Sequence, residues 1–247
     1  MAASRIKKDS NMPAQELTND TNKLLTGLPS KDRERLISSG ENIMLVLGEV
    51  LCKVGEPIQH VYFPTESFIS LVMPLDNRTS LEVGLIGNEG MYGIPLMLGV
   101  NIAPFHSLVQ GAGLALRIER TSFMDVLSRS RALERQLKMY VYVLMRQLGQ
   151  TAACNRFHVV EERLARWLLM TRDRAHSSEF FITQEFLAQM LGVRRVGVTK
   201  AAGSLQRMGL ISYSRGSMTI HDSEGLEVAA CSCYASDKQI YCRIFNH

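Results

Sequence analysis

No stretch of about 18 uncharged apolar residues occurs in this chain of 247 residues, and its opening, MAASRIKKDSNMPAQELTND, has no apolar run of the kind a secretory signal needs. Neither a helical membrane span nor an exported product is expected, and the expected location is the cytoplasm, with no membrane partner. Cysteine is scarce. Five thiols, an odd number, in a chain that is 46% hydrophobic argue for reduced side chains rather than a disulfide framework. A Ser-His-Asp constellation, a paired-carboxylate motif and a GxxxxGK[ST] loop are also missing, so no catalytic activity is expected.

Long stretches lack charge of one sign. From Thr79 through Leu116 there is no Lys or Arg, and between Phe186 and His221 there is no Asp or Glu. The formal net charge of +4 is too mild to identify a partner, so position along the chain must decide what the charge is for.

The length allows two compact domains. Residues 1–22 read as a polar tail without periodicity. Leu24 to Ser39 gives a short helical pattern marked by Leu25, Leu28, Leu36 and Ile37. From Ile43 to Leu116, short β-branched and apolar runs are cut at Gly55-Glu56-Pro57, Pro64-Thr65-Glu66, Asp76-Asn77-Arg78, Gly87-Asn88-Glu89-Gly90 and Gly111-Ala112-Gly113. That spacing predicts an antiparallel barrel or sandwich. Leu133, Leu137, Val141, Leu144 and Leu148 then recur at helical intervals between roughly Arg131 and Arg156. So narrow a stripe suits a helix packed along a copy of itself, or one lying on its own barrel. A further helix, Glu161 to Arg172, carries Leu164, Trp167, Leu168 and Met170 into a second core, and Arg174 to Glu179 reads as a loop.

The acid-free stretch contains two short apolar-striped segments hinged at a glycine. Thr183 is placed to cap a helix over Gln184 to Leu191, which buries Leu187, Ala188 and Leu191. Gly192 supplies the conformational freedom of a tight interhelix turn. A second helix, about Arg194 to Met208, packs through Val198 and Ala201 and exposes Arg194, Arg195, Gly197, Thr199, Lys200, Ser204 and Arg207. This is the internal spacing of a helix-turn-helix. Two strand patterns, Leu210 to Tyr213 and Ser217 to Ile220, follow it, joined through a turn whose tip carries Arg215, which makes the motif winged.

With these residues in view, the chain resembles the Crp/Fnr family of transcription regulators from about Leu24 to Leu226, most specifically over TQEFLAQMLGVRRVGVTKAAGSL, Thr183 to Leu205. The resemblance implies an α+β fold: a β-roll or jelly-roll sensor domain over residues 23–128, a long dimerisation helix over 129–158, a winged helix-turn-helix over 159–226, and a C-terminal extension over 227–247. It further implies a homodimer joined through Leu137, Val141, Leu144 and Leu148, double-stranded DNA as partner, and RNA polymerase as a further one. The recognition helix would enter the major groove, with Thr183 and Arg215 among the DNA contacts. Where the family commonly has Arg-Glu followed by a later Arg, this chain has Arg195, Val196 and Lys200, so no glutamate accepts from cytosine N4 and the preferred DNA sequence should differ.

The sensor departs further from the family pattern. In family members that bind cyclic nucleotides, a Gly-Glu-Leu segment holds the ribose and a following arginine neutralises the phosphate; here Gly93 is followed by Ile94, and Phe105-His106-Ser107 has no arginine nearby. A phosphate buried there would lack a cation. Cyclic AMP is therefore not expected, and Gly93, Ile94, His106 and Ser107 are candidates to line a pocket for some other effector of unknown identity. Iron–sulfur chemistry would need cysteines near the N-terminus, where there are none, and no haem ligand pair is found. Cys231, Cys233 and Cys242 lack the paired spacing of a zinc site, so they read as ordinary or redox-sensitive thiols and no metal or cofactor is expected. The competing readings are a cyclic-nucleotide-responsive regulator with an atypical pocket and a non-catalytic interaction scaffold.

Overall fold

The computed structural model describes residues 22–75 and 80–245. Residues 1–21 of the expected tail and the turn at Asp76-Asn77-Arg78 lie outside them. The tail reading is corrected at its last residue. Asn22 is fully buried: its Oδ1 accepts from the backbone N of Leu24 at 3.1 Å, and its Nδ2 donates to the carbonyls of Pro64 and Gly90 at 2.8 and 2.9 Å.

Two short helices follow, α1 (Lys23–Thr26) and α2 (Ser30–Ser38), where periodicity alone predicts one. Pro29 explains the break, because it lacks an N–H and disfavours helical backbone at the residue before it. Of the expected apolar points, Leu25, Leu28 and Leu36 are buried and Ile37 is half-buried.

The β-rich region forms two antiparallel sheets. Strands β1 (Glu41–Leu45), β7 (Gly113–Glu119) and β3 (His60–Pro64) make one, in the order β1-β7-β3; β2 (Val50–Cys52), β6 (His106–Gly111), β4 (Phe68–Pro74) and β5 (Ser80–Ile86) make the other, in the order β2-β6-β4-β5. Long-range pairings such as β1 with β7 and β2 with β6 close the roll. Their apolar faces share a core with Ile58, Val61, Phe63, Ile69, Val109 and Ile118, and α3 (Arg120–Arg129) adds Phe123 and Val126. A 3-10 helix, Ile94–Leu98, sits between Gly93 and Gly99. Gly93 has a φ of 105°, and a Cβ there would press on Val61, so this corner requires glycine.

Helix α4 (Arg131–Phe157) starts from Ser130, whose hydroxyl accepts from the backbone N of Leu133 at 3.1 Å. Its first half completes the roll core with Leu133, Leu137 and Tyr140. Helix α5 (Val160–Ala175) opens a second core around Leu164, Trp167, Leu168 and Leu169, with Met170 half-buried at its margin. The expected loop from Arg174 to Glu179 is shorter, since α5 runs to Ala175 and β8 (Glu179–Phe181) begins at Glu179. Pairing with a strand some forty residues on creates β8, and local pattern carries no trace of that.

The second core is closed by α6 (Gln184–Leu191), α7 (Arg195–Arg207), β9 (Ile211–Ser214), β10 (Ser217–Ile220) and α8 (Ser223–Ala229). The C-terminal extension folds as α9 (Cys233–Phe245), lying along α4 and α5. Among the described residues no helix is long and apolar enough to cross a membrane.

The two cores are tied by polar contacts. Trp167 Nε1 donates to Glu82 Oε1 at 2.9 Å, Ser70 Oγ donates to Glu82 Oε2, and Arg174 Nε donates to Glu89 Oε1 at 2.9 Å. Burial lifts the Glu82 carboxyl from its ordinary 4.5 to about 7, against the pull of its hydrogen bonds to Ser70 and Trp167.

Candidate nucleic-acid interface

Local chemistry sets the helix pair. Thr183 Oγ1 accepts from the backbone N of Phe186 at 3.1 Å and so caps α6. Gly192 ends the helix in the left-handed region at φ 60°, and its N–H turns back to α6. The backbone N of Val193 then bonds the Ala188 carbonyl at 2.9 Å, which fixes the turn into α7. Val198, Ala201, Ala202 and Leu205 pack against Leu187, Ala188 and Leu191 in the second core. Small residues at 188, 201 and 202 let the two helices approach closely.

The opposite side of α7 is left to solvent. Arg194, Arg195, Thr199, Lys200 and Arg207 are exposed, as expected, whereas Gly197 and Ser204 are half-buried at the margin of the packed side. The first turn of α7 holds no acid, so the positive end of the helix dipole adds to Arg194 and Arg195. In the first turn of α7 stands Val196, 58% exposed. It stands where the family commonly has a glutamate, and its signal in sequence is an apolar side chain out of phase with the buried stripe.

A second missed residue is Gln184. Arg195 Nε donates to Gln184 Oε1 at 3.2 Å, and the Thr199 hydroxyl reaches the same oxygen at 3.1 Å. One amide oxygen therefore orients the arginine at the head of α7. Thr183, Gln184, Arg195, Tyr213, Arg215 and Gly216 line a shared cleft of roughly 290 Å³ between the helix pair and the wing. The wing turn is a two-residue loop in which Arg215 (φ 50°) and Gly216 (φ 88°) both take positive φ, the type I′ pattern that suits the twist of a hairpin. It places Arg215, exposed, at the tip. Burial raises the Tyr213 hydroxyl pKa, with the charge of Arg195 pulling it down, and its O–H donates to the Ile182 carbonyl at 2.8 Å. The structure thus brings Thr183, Arg195 and Arg215 to one cleft and leaves Lys200 and Arg207 further along α7.

The other expected sites divide. Leu137 is fully buried in the chain's own roll core and is corrected to a core residue, because α4 turns that side of its first half onto the sheets. Val141, Leu144 and Leu148 lie half-buried beside Met145, which is 66% exposed. Together with Gly93 and Ile94 these four residues line an apolar cavity of about 240 Å³. His106 and Ser107 do not line it and are corrected to structural residues. His106 Nδ1 accepts from the backbone N of Val54 at 2.9 Å, and Ser107 Oγ donates to the Cys52 carbonyl at 3.2 Å; both polar groups are spent on the backbone at and just beyond β2.

Residues 162–229 match the model of the Crp-like helix-turn-helix domain. A comparison with curated proteins gave no match. Among solved structures, the chain is similar to a protein described as a Crp/Fnr-family transcriptional regulator from Eubacterium rectale, at 16% identity and a TM-score of 0.66, over 84% of this chain and 97% of that one. It is also similar to FixK2 from Bradyrhizobium japonicum, at 13% identity and a TM-score of 0.65, over 78% and 98% of the two chains. The c-di-GMP-responsive regulator CLP of Xanthomonas campestris is matched at 13% identity and a TM-score of 0.64, over 78% and 99%. Identities this low concern the fold, while the helix-turn-helix match is made at the level of sequence. The chain therefore carries a Crp-like helix-turn-helix domain and, taken whole, has the α+β fold of the Crp/Fnr DNA-binding transcription regulators.

Proposed function

We propose that the protein is a homodimeric, sequence-specific regulator that inserts α7 into the major groove of double-stranded DNA. The observation that carries this reading is the acid-free exposed face of α7, with Arg195 oriented by Gln184 beside the basic wing tip. Arg195, and Arg194 before it, project where a guanidinium forks onto guanine O6 and N7, worth about 1–3 kcal/mol of discrimination per good pair. Val196 offers an apolar surface to a thymine methyl. Lys200, Arg207, Arg215 and the Thr183 hydroxyl neutralise or bond phosphates, which position the helix without reading sequence. Gly197 and Ser204 allow the backbone close to the groove. Contact with RNA polymerase stays with the expectation drawn from the resemblance.

Arg195→Ala is expected to erase about 1–3 kcal/mol of preference between specific and random duplexes, while Lys200→Ala weakens both evenly and lowers the salt slope by about one. Gel-shift titrations at several salt concentrations measure this. Equal losses on specific and random DNA for Arg195→Ala would contradict base reading.

The dimer contact is assigned to Val141, Leu144 and Leu148 with Met145, an apolar strip that lies open on α4. Leu144→Glu places a charge in that strip and should yield monomers by sedimentation; an unchanged dimer would place the interface elsewhere. Among the described residues, the cavity wall that includes Gly93 and Ile94 has no Lys or Arg, which supports a sensor that takes no cyclic nucleotide phosphate. A thermal-shift assay with cyclic AMP and cyclic GMP should accordingly show no change.

A further inference from the structure

The fold gathers three of the five cysteines at one point. Cys154 lies in the last turn of α4 and His158 caps that helix, four residues on, so both side chains project from the same end. Cys233 opens α9 and Cys231 lies two residues before it, more than seventy residues later in the chain. The three thiols are buried and His158 is half-buried. The Sγ atoms of Cys154 and Cys231 are 3.5 Å apart, Cys233 Sγ is 3.4 Å from His158 Nδ1, and all four donor atoms lie within 4.8 Å of one another.

These separations have a chemical meaning. A disulfide needs sulfurs at about 2.05 Å, so the closest pair is not bonded. With zinc–sulfur bonds of about 2.3 Å and zinc–nitrogen bonds of about 2.0 Å, a tetrahedral site has donor–donor edges of about 3.5 to 3.8 Å. Two observed edges match that range or fall just short of it, and no edge exceeds 4.8 Å. We propose that Cys154, His158, Cys231 and Cys233 form a Cys3His site for a thiophilic divalent cation, with zinc as the occupant.

Three soft sulfurs and one imidazole favour zinc over magnesium, calcium or manganese, which prefer oxygen. Four protein donors close the coordination sphere, as in structural zinc sites rather than catalytic ones. On binding, each thiol gives its proton to solvent and the imidazole binds through its lone pair at Nδ1. Supporting groups surround the donors. Gln150 Nε2 donates to Cys233 Sγ at 3.0 Å, and the positive charges of Arg163 and Arg166 act on Cys154 and Cys231, offsetting the negative charge of a Zn(Cys)3His unit. Cys242 is exposed and Cys52 belongs to the roll, so neither takes part.

The position gives the ion a role. α4 passes into α5 at His158, the joint between the sensor and the helix-turn-helix. A metal there staples the start of α9 to that joint, while Tyr241 of the same helix donates to the Glu89 carbonyl of the roll at 2.8 Å. Metal occupancy therefore fixes the C-terminal helix across both cores.

The test uses the reduced full-length protein, stripped with a chelator and titrated with Co2+. The expected result is the intense d–d absorption of a tetrahedral thiolate site with a thiolate-to-metal charge-transfer band, saturating at one ion per chain and displaced by Zn2+. Cys231→Ser and Cys233→Ser should each weaken the charge-transfer band and together abolish the tetrahedral thiolate spectrum, His158→Ala should shift the d–d bands, and Cys242→Ser should change nothing. Circular dichroism of the metal-free variants separates loss of a ligand from loss of the fold. A wild-type protein that takes up neither ion, or a tetrahedral thiolate spectrum that survives in the Cys231→Ser/Cys233→Ser double variant, overturns the site.

Discussion

Replacing Arg166 by Met is expected to destabilise the second core by about 3–5 kcal/mol, the usual cost of stripping one partner from a buried ion pair. Arg166 Nη2 lies 2.7 Å from Asp237 Oδ2, and both side chains are only 9% exposed. The pair is already expensive. Burial lifts the Asp237 carboxyl above its ordinary range even with the guanidinium beside it, and Arg166 Nε has no hydrogen-bond partner among the described residues. Without Arg166, Asp237 must stay charged and uncompensated or take up a proton, so the loss should be smaller at pH 5 than at pH 8. Trp167, the sole tryptophan, lies in this core beside Arg166 and reports urea unfolding by fluorescence. A paired change, Arg166→Met with Asp237→Leu, should restore much of the stability, because an apolar pair of similar size avoids desolvating two charges. If the double variant is as unstable as the single one, the effect comes from lost packing rather than an orphaned carboxylate.

Glu82→Gln should remove a pH dependence from the contact between roll and helix-turn-helix. Glu82 sits on β5, buried against Trp167 of α5, with its folded pKa raised to about 7 from 4.5. A raised pKa means that the folded state holds the proton more tightly. Its contribution is fully present below pH 4.5 and is lost as pH rises through about 7. A difference of this size is worth about 3 kcal/mol. Glutamine keeps an oxygen for the Trp167 N–H and an N–H for Ser70, yet carries no charge at any pH. Above pH 7 the variant should therefore be the more stable protein by up to about 3 kcal/mol, and below pH 4.5 the two should coincide. Tryptophan-monitored unfolding at pH 5, 6, 7 and 8 checks this, and parallel pH profiles for the two proteins would show that the carboxyl stays protonated or solvated throughout.

The reach of sequence reading differs between parts of this molecule, and the reason is chain separation. Thr183, Gly192 and the stripe Leu187, Ala188, Leu191, Val198, Ala201 were legible because capping, a positive-φ turn and helical periodicity all act within about 25 residues, and each agrees with the others. The β-roll was legible as a class from its regular turn signals, although strand order was not. The free face of α7 followed from the buried stripe by subtraction, which is also how Val196 could have been found. Gln184 gave no such signal. Its role exists only because the turn at Gly192 carries Arg195 back over the start of α6.

Misreadings arose where a local pattern had two tertiary outcomes. Leu137 continues the same stripe as Leu144, but the roll covers one and leaves the other at the edge of a cavity. His106 has the look of a ligand handle in sequence, and in space it anchors the backbone of Val54.

By itself, then, the sequence determined the helix-turn-helix, its basic exposed face, the β-rich domain and the long helix between them, since backbone propensity and side-chain period are properties of neighbouring residues. Only the tertiary structure decided which thiols meet a histidine, which carboxyl is buried against Trp167 and which leucines of α4 enter the roll core or line the cavity beside it. Those outcomes depend on contacts between segments seventy or more residues apart, or on what burial leaves uncovered, and no local pattern encodes either.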